Sequence, residues 1–403
     1  QVFFAILVLR TPVGLLFFEA VNHGVEAVLG YAEEGGRFVF GNLVQDNLPV
    51  GAGEPGVGSD FQATPGLVAR SGAFFAFQIF PNIIFVSCLM TVLYHLGVMQ
   101  RVVRGVAWIM QRTMRTSGAE TLATASNIFV GLMESPLVVK PFIEGMTRSE
   151  LMAVMTAGMA TISGGVLAAY AGMLLPFEPS AAGHLVAASI MSAPAAFLVA
   201  KLLVPETQTP VTSGTLDAME VERPDVNVID AAARGAAEGL RLALVVGAML
   251  IAFIALVSLA NGMVGWLGGL VGVPGLTLEG ILGRILAPVA WLLGVPWSDA
   301  GVVGQLIGLE FVVNEFVAFV RLEDILTQGA AGGAVLQARS VVIATYALTS
   351  FANFGSVAMT LAGIGALAPS RRHELAALGV RAMVAGLLAS FLTAALAGIL
   401  VGS

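Results

Sequence analysis

Seven stretches of about 20 apolar residues run through this chain, at 1–20, 76–99, 151–176, 182–204, 240–262, 341–367 and 376–402. A helix of that length crosses the hydrocarbon core of a bilayer, and in lipid each backbone polar group must be satisfied within its own helix or barrel. The expected structure is therefore a bundle of membrane-spanning helices. Composition agrees: 57% of the residues are hydrophobic and only 11% charged, against roughly 25% charged in soluble domains. The 48 glycines suit helices that pack closely in lipid. A net charge of −7 without a basic run gives no footprint for nucleic acid, and a single cysteine, Cys88, excludes a disulfide framework. The opening "QVFFAILVL" lacks the basic segment and small-residue cleavage site of a signal peptide, so it is read as the inside of a helix.

Basic residues orient the spans. Arg101, Arg104, Arg112 and Arg115 follow the second, and Lys140 and Arg148 precede the third. Lys201, Arg223, Arg234 and Arg241 lie between the fourth and fifth, and Arg371 and Arg372 between the last two. The positive-inside rule places 100–150, 205–240 and 368–375 in the cytoplasm, and leaves 21–75 and 268–300 outside. Residues 21–36 read as a surface helix and 41–70 as a turn-rich loop. Within that loop "GEPGVGSD" (53–60) lacks the Lys-Ser/Thr ending of a phosphate loop. Residues 205–239 read as a cytoplasmic linker ending in a short amphipathic helix.

Two apolar segments do not fit as simple spans. Residues 117–146 begin and end among cytoplasmic charges, and 298–325 would begin and end outside. Each is interrupted by Asn, Glu and Gly or Pro. A helix–turn–helix that enters and leaves by one face satisfies both observations, because irregular backbone at membrane depth is tolerated where it lines a cavity. The pattern recurs. "NIFVGLMESPLVV" (127–139) precedes a span containing "MATISGGVLAAYAGM" (159–173), and "GLEFVVNEFVAF" (308–319) precedes a span containing "FANFGSVAMTLAGIG" (351–365). Two re-entrant hairpins, each followed by a broken span and then a plain one, make an inverted repeat, and interrupted segments at matching places mark the binding site of a secondary transporter.

The chemistry sits in those interruptions. Glu134 and Glu315 are carboxylates in the membrane interior, where a charge costs about 2.5–3.5 kcal/mol even on an insertion scale. Such a group either pairs with a cation, for which Lys140 is a candidate, or accepts hydrogen bonds from a ligand. Asn127, Asn314 and Asn353 offer both donors and acceptors, or serve as glue between helices. Thr161 and Ser163 either bond back to helix carbonyls or offer oxygens to a hard cation such as sodium, beside carbonyls freed at a break. Phe351 can stack on a flat ring or fill the core. No HExxH, CxxC pair, Ser–His–acid set or Walker motif is present, which argues against an enzyme and against ATP-driven transport. His23, His95, His184 and His373 fall near ends or loops and read as interface residues. A channel would need a continuous polar lining, whereas the polar residues here gather at two hairpins and two broken spans.

In these motifs, and in "LRTPVG" (9–14), "FVFGNLV" (38–44), "LYHLGVMQ" (93–100), "GVPW" (294–297) and "LAPSRR" (367–372), the chain resembles the concentrative nucleoside transporters, over nearly its whole length. The resemblance implies an all-α polytopic membrane protein with inverted repeats, divided into scaffold and transport regions. It implies a symporter driven by a sodium or proton gradient, a homotrimer in the cell inner membrane, and a first span lying upstream of Gln1. The scaffold would comprise 1–99 and 240–275, and the transport repeats 100–204 and 276–403. The family's Gly-Gln-Thr-Glu motif falls on Gly131, Leu132, Met133 and Glu134, so the outer pair matches and the inner pair loses an amide and a hydroxyl toward the base. Glu315 matches the ribose-binding glutamate, Phe351, Asn353 and Ser356 the base and ribose contacts, and Val166 a base-packing position. Asn127, Val130, Thr161 and Ile162 match the sodium ligands. Glu310 departs from the pattern, because many relatives have Lys there. Sodium-coupled import of nucleosides with shifted base selectivity is the reading that follows. Proton coupling, or a different nucleoside-like ligand, is the alternative.

Overall fold

Thr11 and Pro12 open the first long helix. Thr11 Oγ1 accepts from the Gly14 amide, and Pro12 occupies the first turn, where its missing N–H is not needed. The expected span at 1–20 is consequently divided into α1 (Val2–Arg10) and α2 (Pro12–Phe40), and α2 takes in the expected surface helix. The computed structural model describes residues 2–45, 47–52, 62–70, 75–132, 134–213, 225–270, 272–330, 332–333 and 335–401. Residues 53–60 lie outside the described residues. On either side of them the chain is not a loop: β1 (Asn47–Ala52) and β2 (Gln62–Arg70) pair antiparallel.

The helices that follow are α3 (Phe80–His95), α4 (Val98–Met114), α5 (Gly118–Asn127), α6 (Lys140–Ile143), α7 (Arg148–Ala160), α8 (Gly164–Leu174) and α9 (Ala181–Leu203). After the linker come α10 (Val228–Leu270), α11 (Leu278–Leu292), α12 (Trp297–Val312), α13 (Glu315–Ala330), α14 (Ala338–Ala347), α15 (Phe354–Leu367) and α16 (Arg372–Leu400). Two expectations are corrected here. The amphipathic helix and the span at 240–262 are one 43-residue helix, α10. Part of the expected outer loop at 268–300 is α11, which packs along α12 at an angle of 115°. Its apolar content is legible in the sequence, but Pro288 and the flanking glycines made it read as a loop. Among the described residues six helices are long and apolar enough to cross a membrane, or up to seven if α11 and α12 count as one span.

The element order repeats. A helix (α4, then α11) leads into a helix–break–helix segment (α5 to α6, then α12 to α13). Each is followed by a broken helix (α7–α8, then α14–α15) and an unbroken one (α9, then α16). The helix starts α5 and α7 carry matched caps. Ser117 and Thr147 each accept from the amide three residues on, while Glu120 and Glu150 reach back to the cap amides. Lys201 on α9 lies 2.7 Å from Glu120, and Ser117 Oγ donates to Glu150 at 2.5 Å, so α5, α7 and α9 share one buried polar knot. Helix α16 packs against α7, α9, α14 and α15, and α10 packs along α3. That last contact depends on Gly235, where a Cβ would fall 2.8 Å from the Cys88 Cα.

The buried apolar side chains form two clusters, one around α8, α12 and α14 and the other around α5, α7 and α16. Phe351, in the break between α14 and α15, touches both. The breaks therefore lie where two cores meet.

Candidate functional site

At residue 161 the backbone of α7 turns extended, and it resumes helix at Gly164. The Gly164 amide donates to the Phe129 carbonyl at 3.1 Å, which ties this break to the end of α5. Asn127, the last residue of α5, is 1% exposed. Its Nδ2 donates to the Ala157 carbonyl at 2.9 Å and to Thr161 Oγ1. Its Oδ1 is buried without a hydrogen-bond partner among the described residues. Ser189 on α9 reaches the Ile162 carbonyl at 3.5 Å, and Val130 follows at the start of the break. A buried acceptor left over among hydroxyl and carbonyl oxygens fits a hard monovalent cation. Buried polar atoms ordinarily find a partner.

Gly131 has φ +125°, a conformation glycine adopts freely. A Cβ there would lie 3.0 Å from Glu134 Oε2 and 3.0 Å from Ser163 Cβ, so the turn brings Glu134 over the α7–α8 break. Glu134 is exposed to the cavity described below, and Lys140 is exposed at the start of α6. Leu132 is 6% exposed, and its Cδ1 occupies the space over Gly158. It therefore forms part of the cavity wall while its end packs into the α7 side of the core. Met133 lies outside the described residues.

The second break carries the other half of the site. Asn314 Oδ1 accepts from the Val317 amide at 2.9 Å and so caps α13, which begins at Glu315. Glu315 is 7% exposed, with its carboxylate at a helix N-terminus, where the backbone dipole favours negative charge. Asn353 Nδ2 donates to its Oε2 at 2.9 Å, and the Tyr170 hydroxyl to its Oε1 at 3.2 Å. Asn353 Oδ1 accepts from the Ser356 amide at 3.0 Å and hydroxyl at 3.3 Å, so Asn353 caps α15 and holds Glu315 together. A carboxylate accepts about four hydrogen bonds. With two in place, capacity remains for a ligand. The Phe351 amide donates to the Met159 carbonyl at 2.8 Å, which locks this break onto α7.

Tyr170 is the residue that sequence reasoning missed. It is fully buried on α8, stacked on Phe319 with ring centres 4.0 Å apart, and links the first repeat to Glu315 in the second. Its signal was a phenol in an otherwise apolar helix. His184, read as an interface residue, is half-buried, with its Nδ1 3.3 Å from the Tyr346 hydroxyl and its ring edge-on to Phe18.

A cavity of about 780 Å³ joins these parts. Gly131, Glu134 and Val166 line it from the first repeat, and Glu315, Phe351 and Asn353 from the second. That volume accommodates a small organic molecule. Toward one end it reaches His95, Asp225, Arg234 and Glu238. Arg234 holds Asp225 through contacts of 2.6 and 2.8 Å, and these bonds keep the Asp225 carboxyl below the usual carboxylate range.

Helices of membrane-spanning length, with paired breaks converging on one cavity that presents the buried polar groups Glu315 and Asn353, define a polytopic membrane transporter. Comparison with known proteins makes the class specific. The model described as "Na+ dependent nucleoside transporter C-terminus" matches residues 184–398, its N-terminal counterpart 1–43, and one described as "Nucleoside recognition" 76–177. An uncharacterized transporter of Haemophilus influenzae is 42% identical, covering 100% of this chain and 89% of its own. A nucleoside permease of Helicobacter pylori is 39% identical, covering 100% and 90%. The transporter CNTnw, solved in an inward-facing substrate-bound state, superimposes with a TM-score of 0.86 at 41% identity, covering 100% of this chain and 89% of that one. The chain belongs to the Na+-dependent nucleoside transporter family, the concentrative nucleoside transporters. It is a carrier and not an enzyme, and sodium is the coupling ion by which the family is described.

Proposed function

We propose that this protein imports nucleosides across the cell inner membrane as a sodium symporter. The observation that carries the reading is the convergence of Glu134 with Glu315, Asn353 and Ser356 on one cavity of about 780 Å³. Ribose hydroxyls donate to the open positions of Glu315 and accept from the Asn353 amide. The base lies between Phe351 and Val166, with its edge toward Gly131, Leu132 and Glu134. Leu132 presents no donor or acceptor to that edge, so bases are discriminated less sharply than in a site that hydrogen-bonds them. Sodium, carried as a second cargo, is held by Asn127, Thr161 and the carbonyls of Val130 and Ile162. Because Phe129 is bonded to Gly164, ordering this corner also orders the turn that carries Glu134.

The segments α5–α6 and α12–α13 act as re-entrant hairpins of an inverted repeat, and with their broken helices they form the part that moves. Helices α3 and α10 belong to the static scaffold. The apolar residues exposed on α10, such as Ile251, Leu259 and Trp266, face lipid and neighbouring copies in a homotrimer. Charge on the loops makes the Asp225–Arg234 end of the cavity cytoplasmic, so the described conformation is open inward.

The test is uptake of labelled uridine and adenosine into proteoliposomes, with and without an inward sodium gradient, at two pH values. Sodium-dependent uptake of either supports the reading, and the ratio between them measures what the altered turn selects. Uptake driven by protons alone removes sodium from Asn127 and Thr161. Absence of uptake by correctly inserted protein overturns the nucleoside assignment.

A further inference from the structure

Glu310 is a fully buried carboxylate that the nucleoside and sodium sites leave unused. It lies two residues before the end of α12 and is 0% exposed. Its Oε1 accepts from the Ser350 hydroxyl in the α14–α15 break, and its Oε2 is buried with no hydrogen-bond partner among the described residues. No ion pair among those residues includes it. The titratable groups that face it are the Glu315 carboxylate on α13 and the Tyr170 phenol on α8, and neither supplies positive charge. The remaining charged residues on the packed helices also make no ion pair with it: Glu279 and Arg284 on α11, Arg321, Glu323 and Asp324 on α13, and Arg339 on α14. A carboxylate removed from water without a cation is strongly disfavoured in its ionised form and is neutralised instead.

Its position in the repeat says what the neutralisation is for. In the first repeat Asn127, at the end of α5, meets Thr161 in the α7–α8 break. In the second, Glu310, near the end of α12, meets Ser350 in the α14–α15 break. The first corner gathers neutral oxygens and suits a metal cation. At the second, one hydroxyl meets a carboxylate with a bare oxygen, a smaller oxygen set than hard metal ions take but enough for a proton. Ser350 is joined directly to Phe351 and lies three residues from Asn353, both at the cavity. Displacing that break as cargo leaves therefore changes the surroundings of Glu310 as well.

We propose that Glu310, held by Ser350, is a proton-binding site loaded and emptied once per transport cycle, so that import is coupled to protons as well as to sodium. The carboxylate takes a proton from the outer solution, forming one O–H bond, and releases it to water on the cytoplasmic side. For its cargo the inference rests on the nucleoside reading above, and for the proton it does not.

Two measurements test it. Infrared difference spectra of the purified protein against Glu310→Gln at neutral pH need no cargo. A protonated-carboxyl band present in the wild type and lost in the variant is expected, and carboxylate bands alone overturn the proposal. In the second, proteoliposomes hold a lumenal pH dye, sodium is equal and saturating on both sides, and uridine is added outside. Wild-type import acidifies the lumen and accelerates several-fold when the outer solution is acidified. In Glu310→Gln the protons moved per uridine fall at least several-fold. An unchanged ratio in the variant, or wild-type import without acidification, overturns the coupling. If uridine is not transported under any gradient, the nucleoside reading fails, and the infrared band alone decides whether Glu310 holds a proton.

Discussion

Glu315 shows how one side chain can be both structural and functional. Asn353 and Tyr170 already hold its two oxygens in place, so the carboxylate is oriented before any cargo arrives. Glu315→Gln keeps the shape and exchanges an acceptor-only group for one that is half donor. A hydrogen bond to a charged group contributes about 1.5–3 kcal/mol, so the apparent affinity for uridine should fall by about 10-fold to 100-fold, since about 1.4 kcal/mol is tenfold. The check is a uridine titration of uptake normalised to inserted protein. Unchanged affinity would remove Glu315 from the cargo site and leave it as the acceptor that joins Asn353 and Tyr170. Tyr170 shows the converse, a residue whose visible bonds are structural while its hydroxyl fixes the geometry of the site from the opposite repeat.

The element that matters most is the break. Helices α7 and α14 stop at Ala160 and Ala347, and in the proposed reading the backbone and hydroxyl groups at these breaks serve the cargo. The α7–α8 break makes a testable claim about sodium. Thr161→Val removes one oxygen while keeping the volume, and should raise the sodium concentration for half-maximal uridine uptake by about tenfold, the equivalent of one bond to a charged group. Thr161→Ser should stay near the wild type. Loss in Thr161→Ser with Thr161→Val near the wild type would indicate a packing role for the threonine methyl and no cation contact by the hydroxyl. The short α5 is buried at every position. The capped start at Ser117, the Glu120–Lys201 ion pair, the Asn127 bond to Ala157 and the Phe129–Gly164 bond keep so brief a helix formed at depth, since an isolated helix of this length is marginal.

At the scale of the whole molecule, one cavity extends from the helix breaks to the Asp225–Arg234 pair. The Asp225 carboxyl is held below its ordinary range by its bonds to Arg234. A depressed carboxylate contributes stability above its unfolded-state pKa of about 3.9 and loses it as pH falls through the folded value. The thermal-stability difference between wild type and Asp225→Asn in detergent should therefore be flat from about pH 8 to about pH 5 and disappear on further acidification below about pH 4. A difference that grows toward low pH would show that the pair does not hold the linker.

What the sequence determined by itself is local or periodic. Apolar runs of spanning length made this a helical membrane protein, and Asn127, Glu134, Glu315 and Asn353 stood out because polar residues in lipid need a reason. The motifs around them led to the family. The sequence did not show that α10 is one continuous helix, that α11 is a helix at all, or that residues on both sides of 53–61 pair as strands. Glycine, proline and polar residues weaken a local signal that tertiary contacts restore. Nor could it show that Leu132 turns toward Gly158, that Tyr170 reaches Glu315, or that Glu310 meets Ser350 with an oxygen left over. Those pairings join residues 26, 145 and 40 positions apart. Hydropathy and spacing act within a helix, whereas a site shared between two repeats exists only once both are packed together.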